Sequence, residues 1–216
     1  MTVTISRLYD DYSAASQAVR DLEAAGLPSG DISIVASNAD NWYRGDRTSK
    51  RTDRVDRDHD GTDDRVEGAE AGAGIGAVIG GAAGLLAGLG LLAIPGVGPV
   101  VAAGWLVATG AGVVAGGAAG GIIGALTQSG VSKDDAHIYA EGVRRGGTLV
   151  SARVPDSQRT RYEAILDRSA INIRERGEAY RREGWAGFDE SAPSYTAEEA
   201  RRERETYGST GAGRPL

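Results

Sequence analysis

One stretch of the chain, from Ala71 to Ser132, contains no Asp, Glu, Lys, Arg or His, although the segments on both sides of it are densely charged. Glycine recurs at every fourth position, and Gly-X-X-X-Gly spacing lets helix backbones approach closely in apolar surroundings. Between the two glycine series, the sequence Ile94-Pro95-Gly96-Val97-Gly98-Pro99 predicts a tight turn. We therefore expect a glycine-zipper helical hairpin over residues 67–130. The glycines expected at its helix contacts are Gly68, Gly72, Gly76, Gly80, Gly84, Gly88, Gly112, Gly116, Gly120 and Gly124.

The segments that flank this hairpin repeat one order of elements. Apolar periodicity and capping residues before the hairpin predict a strand, a helix and a strand, over Thr2–Leu8, Tyr12–Ala25 and Asp31–Ser37. After it, the elements predicted are a helix, a strand, a helix and a strand, over Ser132–Arg145, Thr148–Val154, Ser157–Ser169 and Ile171–Ile173. Two such units commonly form a ferredoxin-like sandwich. The expected fold class is thus α+β, a ferredoxin-like βαβ + αβαβ sandwich interrupted by the hairpin.

The predicted organisation has five parts. Residues 1–37 and 131–176 are the two halves of the ferredoxin-like domain, residues 38–66 are an acidic and polar linker, residues 67–130 are the hairpin, and residues 177–216 are a polar, partly disordered tail. A capping box that begins at Thr196 predicts a short helix over residues 197–207. Trp185 and Phe188 of the tail are expected to dock onto the protein's own body, and docking onto a partner is the alternative.

A calcium-loop pattern, D-x-D-x-D-G-x₅-E, occurs in the linker. Oxygen ligands at these spacings can converge on Ca²⁺. Asp63 stands where such loops usually carry an aliphatic residue, and no amphipathic helix precedes the motif. A solvated acidic linker is therefore the favoured interpretation, and no metal site is assigned. The candidate ligands would be Asp56, Asp58, Asp60, Asp64 and Glu67.

The residues that carry most enzyme chemistry are sparse in this chain. It has no cysteine, and its two histidines, His59 and His137, lie far apart. No spacing suggests a catalytic triad, and His137 is expected to be a surface or packing residue. A net charge of -6 argues against a nucleic-acid partner. We predict a non-enzymatic protein with no cofactor, and the sequence identifies no small-molecule ligand.

The geometry of the glycine stripe predicts a homo-oligomer. Each four-residue step turns about 400° around a helix, so the stripe drifts by about 40° per step and a single neighbour cannot contact all of it.

The arms Ala71–Ile94 and Pro99–Leu126 each exceed the about 20 apolar residues that cross a bilayer, and Trp105 lies near an interfacial depth. No signal peptide is apparent. We expect the hairpin to insert into the inner membrane from the cytoplasmic side. The alternative is a soluble oligomer that buries it.

Several segments carry a family resemblance that spans roughly Val3 to Arg174. They are the opening Thr-Val-Thr-Ile-Ser-Arg-Leu-Tyr-Asp-Asp-Tyr, the sequence Asp31-Ile-Ser-Ile-Val, the glycine repeat, and Tyr139-Ala-Glu-Gly-Val-Arg-Arg-Gly-Gly-Thr-Leu-Val. In these the chain resembles bacterial general stress proteins with the general stress protein 17M-like domain, also described as heat- or low-temperature-induced. The resemblance implies a stress-associated protein without an established enzymatic activity, so it supplies no catalytic residues. The alternative function is a soluble oligomeric sensor of a small ligand or of Ca²⁺.

Overall fold

The computed structural model describes residues 1–44, 85–94, 96–107 and 121–208. Within these ranges, five strands form one antiparallel sheet in the order β1-β5-β2-β4-β3. The strands are β1 (Thr2–Tyr9), β2 (Ile32–Ser37), β3 (Gly90–Ile94), β4 (Gly98–Gly104) and β5 (Thr148–Pro155). The α-helices are α1 (Tyr12–Ala24), α2 (Gly121–Gln128), α3 (Lys133–Arg144), α4 (Arg159–Leu166), α5 (Ile173–Arg182) and α6 (Ala197–Gly208). The described chain is therefore of the α+β class.

The centre of the sheet joins the two ends of the chain. β5 lies between β1 and β2 and is antiparallel to both, so Ile5 pairs with Ala152 and Ile34 pairs with Val150. β1 and β2 consequently run parallel, and α1 connects them across one face. Every residue of β2 is buried, because helices cover the sheet on both sides.

Local signals set both ends of α1. The side chain of Asp11 accepts a hydrogen bond from the Ala14 backbone N–H at 2.8 Å, which satisfies a free donor of the first turn. Gly26 follows the helix with a φ of 93°, and Leu27 N–H bonds back to Leu22 C=O at 3.1 Å. This is a glycine C-cap, since a residue with a side chain rarely adopts that backbone conformation.

The two faces of the sheet carry separate apolar cores. On the first face α1 and α4 pack on the sheet, whereas α2 and α3 cover the second face. The first core includes Ile5, Tyr9, Val19, Leu22, Ile34, Val150, Tyr162 and Leu166. The second includes Leu8, Val35, Val100, Ala102, Leu126, Tyr139, Val143 and Leu149.

The predicted helical hairpin is wrong for residues 90–94 and 98–104, which form β3 and β4. The turn between the arms is present, but it joins two strands. β4 finds backbone partners on β2, where Val35 pairs with Ala102, and its Val100 and Val101 suit a pleated, buried strand. Continuous helices over Ala71–Ile94 and Pro99–Leu126 are therefore excluded.

The remainder of the hairpin prediction falls partly outside the described residues. Residues 121–128 are helical, as expected for the end of the second arm, and they contain Gly124. Gly88 closes a 3₁₀ turn, Leu85–Gly88, rather than an α-helical turn. The other stripe glycines and residues 45–66 of the linker lie outside the described ranges. Within those ranges, no helix is both long enough and apolar enough to cross a membrane.

The short final strand predicted over Ile171–Ile173 is also wrong. Asn172 caps α5, and its side chain accepts hydrogen bonds from the backbone N–H groups of Arg174 and Glu175 at 3.1 and 3.4 Å. The preceding residue keeps a single backbone bond to the sheet, from Ile171 N–H to Leu8 C=O at 2.8 Å. Capping of a helix by Asn172 thus replaces the expected strand.

Candidate functional site: a buried charged cluster beneath the C-terminal segment

Helix α3 carries charged side chains that are buried in the described structure. Ser132 caps the helix by accepting a bond from Asp135 N–H at 3.1 Å, and acidic residues occupy its first turn. Its apolar side, which includes Ala136 and Tyr139, packs on the second face of the sheet. Glu141 lies in the same helix and is 0% exposed, although it is charged.

Two arginines of the same helix end neutralise Glu141. Its Oε1 accepts from Arg145 Nε and from Arg144 Nη2, both at 2.6 Å, and its Oε2 accepts from Arg144 Nε at 2.9 Å. These are charge-assisted bonds at i,i+3 and i,i+4 spacing, and the Arg144 fork is bidentate. A carboxylate buried to this degree requires such partners, because an isolated buried charge is very costly.

The C-terminal segment supplies the acidic groups that balance the second arginine. Arg145 Nη1 donates to Glu183 Oε2 at 2.9 Å and to Glu203 Oε1 at 3.3 Å. Glu183 caps α5, and Glu203 belongs to α6. One guanidinium therefore ties α3, α5 and α6 together. We call Glu141, Arg145, Glu183 and Glu203 the α3 cluster.

Hydrogen bonding and burial act in opposite directions on the ionisation of this cluster. Burial alone would lower the pKa of Arg145, but its bonds to Glu141 and Glu183 outweigh that effect and the pKa lies above its ordinary value. Burial raises the pKa of Glu203 more than Arg145 lowers it. In Glu183, bonds from Tyr207 and Arg145 outweigh burial, and the pKa falls. As the pH decreases, Glu203 is therefore protonated before Glu183.

Aromatic rings enclose the two arginines from the outer side. The Arg145 guanidinium carbon lies 4.0 Å from the centroid of the Tyr180 ring and 5.6 Å from that of Tyr195. Arg144 lies 5.4 Å from Tyr195 and 6.0 Å from Phe188. These are cation–π distances, and such contacts gain strength when water is excluded. The rings all belong to the segment that begins with α5.

The predicted docking of Trp185 and Phe188 is confirmed. Phe188 packs on the second core, and its backbone N–H donates to His137 Nδ1 at 3.2 Å. Trp185 makes an edge contact with Tyr180, with 5.9 Å between ring centroids. The contact to Phe188 also gives His137 the packing role expected for it.

The final described helix closes over the end of α3. Ala200 is 1% exposed and approaches the turn at Gly146, where an added Cβ would lie 2.9 Å from the Ala200 Cβ. Arg204 bonds to Gly146 C=O at 3.3 Å and pairs with Asp40 at 2.9 Å. The charges of the α3 cluster thus pair with one another, and α6 packs over them. These contacts hold the C-terminal segment against the rest of the described structure.

Local reasoning could detect only half of this cluster. The i,i+3 and i,i+4 spacings of Glu141, Arg144 and Arg145 are visible in the sequence. Glu183 and Glu203 follow Arg145 by 38 and 58 residues. No local pattern links groups at those separations.

The predicted site residues are not brought together in the described structure. The calcium candidates Asp56, Asp58, Asp60, Asp64 and Glu67 lie outside the described residues. Within the described ranges, no three His, Asp or Glu side chains are grouped to hold a metal ion. At Gly124, the only stripe glycine inside a described α-helix, an added Cβ would meet no described atom within 4 Å.

Comparison of the chain with models of protein families, with curated proteins and with solved structures finds no match.

Proposed function

We propose that this chain is a non-enzymatic, stress-associated bacterial protein that acts by self-assembly. In this proposal, a folded α+β body presents the glycine-rich segments, and copies of the chain associate through them on the cytoplasmic side of the cell. The resemblance to the general stress protein 17M-like family motivates the stress association, and the drift of the glycine stripe motivates the assembly.

One observation carries the assembly proposal: the charge-free stretch is attached to the body at its middle and at its last part. Its middle part forms β3 and β4, and β4 pairs with β2. Its last part forms α2, where Ala125 and Leu126 are 0% exposed in the second core. Gly112, Gly116 and Gly120 lie in the sequence between these two anchors, and fixing both ends of a segment lowers the entropic cost of presenting it to another copy.

We also propose a ferredoxin-like arrangement for the body. The position of β5 between β1 and β2, with α1 and α4 on one face, supports it. The bond from Ile171 N–H to Leu8 C=O lies at the outer side of β1, beside which a fourth strand of such a sheet would run. In this interpretation β3, β4, α2 and α3 are an insertion between the two halves.

The strands at residues 90–104 favour a soluble assembly over a transmembrane hairpin. Of the charge-free stretch, only residues 71–84, 95 and 108–120 lie outside the described structure. Leu85 is already part of the first core at 8% exposure. The segments at 71–84 and 108–120 are each shorter than the about 20 residues that a helix needs to cross a bilayer. The membrane-inserted form remains the second candidate, and the same experiment tests it.

The experiment compares two double variants of the full chain. Gly72→Leu with Gly76→Leu fills the stripe, whereas Ala73→Leu with Ala77→Leu adds bulky side chains at the adjacent positions. We expect light scattering to show an oligomer for the unmodified chain, a reduced mass for the glycine variant, and an unchanged mass for the alanine variant. In cell fractions, alkaline carbonate should release the chain from membranes.

Two results would overturn the proposal. A monomeric unmodified chain, or equal masses for the two double variants, would remove the glycine stripe as the assembly element. Retention in the membrane pellet after carbonate treatment would favour the inserted form over the soluble one.

A further inference from the structure

The two edges of the described sheet differ in how they are protected. At one edge, β1 carries Arg7, which pairs with Asp167, and Ile171 N–H bonds to Leu8 C=O. Charge and irregular pairing are devices that keep an edge strand from joining another sheet. At the opposite edge, β3 has the sequence Gly-Leu-Leu-Ala-Ile and carries no charge.

The edge formed by β3 is also held in a fixed position. β4 pairs along the whole of β3, from Gly90 with Ala102 to Ile94 with Gly98. At the turn, an added Cβ at Gly96 would lie 2.6 Å from the Glu190 Cα, and one at Gly98 would lie 2.5 Å from the Ser194 Cβ. The C-terminal segment thus packs tightly on the turn, and β3 is presented by a braced hairpin.

The outer side of β3 has no strand partner among the described residues, and its side chains remain accessible. In the described sheet it neighbours β4 alone. Gly90, Leu91 and Ala93 are exposed, and Leu91 keeps 48% of its surface. An accessible apolar edge favours the addition of a further strand, because backbone groups then pair along its length.

We propose that β3 pairs antiparallel with β3 of a second copy of this chain, with Leu92 of one copy opposite Leu92 of the other. The inference rests on the proposed self-association but not on the glycine stripe. Directly opposite side chains of an antiparallel pair lie on the same face, so a two-fold axis normal to the sheet must lie midway between the two copies of one residue. An axis at Leu92 is the one that uses all five residues of the strand.

Side-chain size supports this register. Leu92 packs on the second core, and alternation along the strand places Leu91 and Ala93 on the other face. In the proposed pairing, Leu91 lies opposite Ala93 of the second copy, and Gly90 lies opposite Ile94. A large residue therefore faces a small one on each side of the central pair, and no charged group is buried.

The pairing places the open ends of the two hairpins at opposite ends of the strand pair. Leu85–Gly88 directly precedes β3 and Trp105 directly follows β4, so both of these described segments adjoin the open end of the hairpin. Gly90 of one copy would lie opposite Ile94 of the other, four residues along the strand. At about 3.4 Å per residue, the two open ends start within about 15 Å of each other.

Single cysteines test the register, because the natural chain contains none. Opposite residues of an antiparallel pair have Cα atoms about 4.5–5.5 Å apart, within the range that a disulfide spans. We expect Leu92→Cys in the full chain to form a covalent dimer under mild oxidation. Leu91→Cys is the control: its side chain is more exposed, yet it should cross-link far less, since its partner position is Ala93. Mixing the Leu91→Cys and Ala93→Cys chains should restore the covalent dimer.

Each outcome decides the inference. Absence of a Leu92→Cys dimer in a variant whose circular dichroism matches the natural chain would overturn it. Equal cross-linking of Leu91→Cys and Leu92→Cys would also overturn it, because random collision favours the more exposed thiol. If Leu92→Cys fails while the glycine variants still lose mass, the edge pairing alone is wrong. If Leu92→Cys cross-links while the glycine variants keep their mass, the glycine stripe is wrong.

Discussion

The two faces of the sheet are closed in different ways. On the first face, α1 and α4 seal an apolar core, and the buried Tyr9 hydroxyl donates to Leu166 C=O at 2.9 Å. On the second face, α3 seals an apolar core but also buries Glu141 and Arg145 on its outer side. The third buried charged side chain among the described residues, Arg176, belongs to α5 on the same side.

This difference shows why the second face needs an additional layer. The helices of the first face turn their polar sides to water, so no further element is required. Helix α3 instead carries charges that are solvated by neither water nor the sheet. Glu183 and Glu203 of the C-terminal segment, together with the Tyr180 ring, take the place of water around Arg145. The second face is complete only when α5 and α6 are in place.

The largest effect should come from removing the central carboxylate. Glu141→Ala leaves Arg145 in a buried site without its closest partner, and breaking a buried ion pair on one side costs about 3–5 kcal/mol. We expect urea unfolding to show a loss of that order in the free energy of unfolding. The matched control on the first face is Glu163→Ala, which removes the exposed i,i+4 pair with Arg159 and should cost less than about 1 kcal/mol.

The double variant Glu141→Ala with Arg145→Ala sharpens this comparison. Because it removes both buried charges, it should be destabilised by less than the sum of the two single variants, as expected for directly coupled residues. A Glu141→Ala loss no larger than that of Glu163→Ala would mean that the charges of the second face are as well solvated as those of the first.

The two faces also differ in how far they could be predicted from the sequence. The elements of the first face carry strong local signals. Alternation predicts a strand over Thr2–Leu8, and β1 covers Thr2–Tyr9; the Asp cap and apolar face predict a helix over Tyr12–Ala25, and α1 covers Tyr12–Ala24. The N-cap of α3, Ser132, is likewise a local signal. Short-range capping and periodicity determine these elements, which is why one sequence suffices.

The parts that could not be predicted depend on distant partners. The runs that form β3 and β4 are short and apolar, and periodicity cannot distinguish a buried strand from a buried helix in such runs. The pairing of Val35 with Ala102 decides the question, and it joins segments far apart in the chain. The sequence does carry a local signal for the start of α5: Asn172 followed by Glu175 is a capping-box pattern, and Asn172 Nδ2 donates to Glu175 Oε1 at 2.9 Å.

Alkaline pH should produce an effect of intermediate size on the second face. Burial raises the pKa of Tyr139 to about 12, against an ordinary value of 10.0, and its hydroxyl donates to Ser6 C=O at 2.7 Å. The folded chain therefore keeps a proton that the unfolded chain loses above pH 10. The corresponding stability is fully present below pH 10 and is lost, to the extent of about 2–3 kcal/mol, as the pH rises to about 12.

The variant Tyr139→Phe tests this pH dependence. It should lose about 1 kcal/mol at neutral pH, because the Ser6 carbonyl loses the Tyr139 donor and keeps only the side-chain bond from Arg7. Its stability should then fall less steeply than that of the natural chain above pH 10. Tyr9 on the first face also has a raised pKa through burial, so part of the slope should persist. Unfolding free energies measured below pH 10 give the loss at neutral pH, and their comparison with values near pH 12 gives the alkaline slope. An unchanged slope in Tyr139→Phe would assign the alkaline loss to other groups.

The smallest effect should come from the ion pair at the surface of the first face. Arg168 bonds to Asp21 at 3.1 Å and ties the end of α4 to α1, but its side chain is 67% exposed. Water screens such a pair and ordering two long side chains costs entropy, so Arg168→Ala should change the free energy of unfolding by less than about 1 kcal/mol. Arg145 bonds to Glu183 at the similar distance of 2.9 Å, but its side chain is only 8% exposed and it also bonds to Glu141 and Glu203. If urea unfolding showed a loss for Arg168→Ala that approached the loss for Glu141→Ala, burial could not be the reason why the second face depends on its charges.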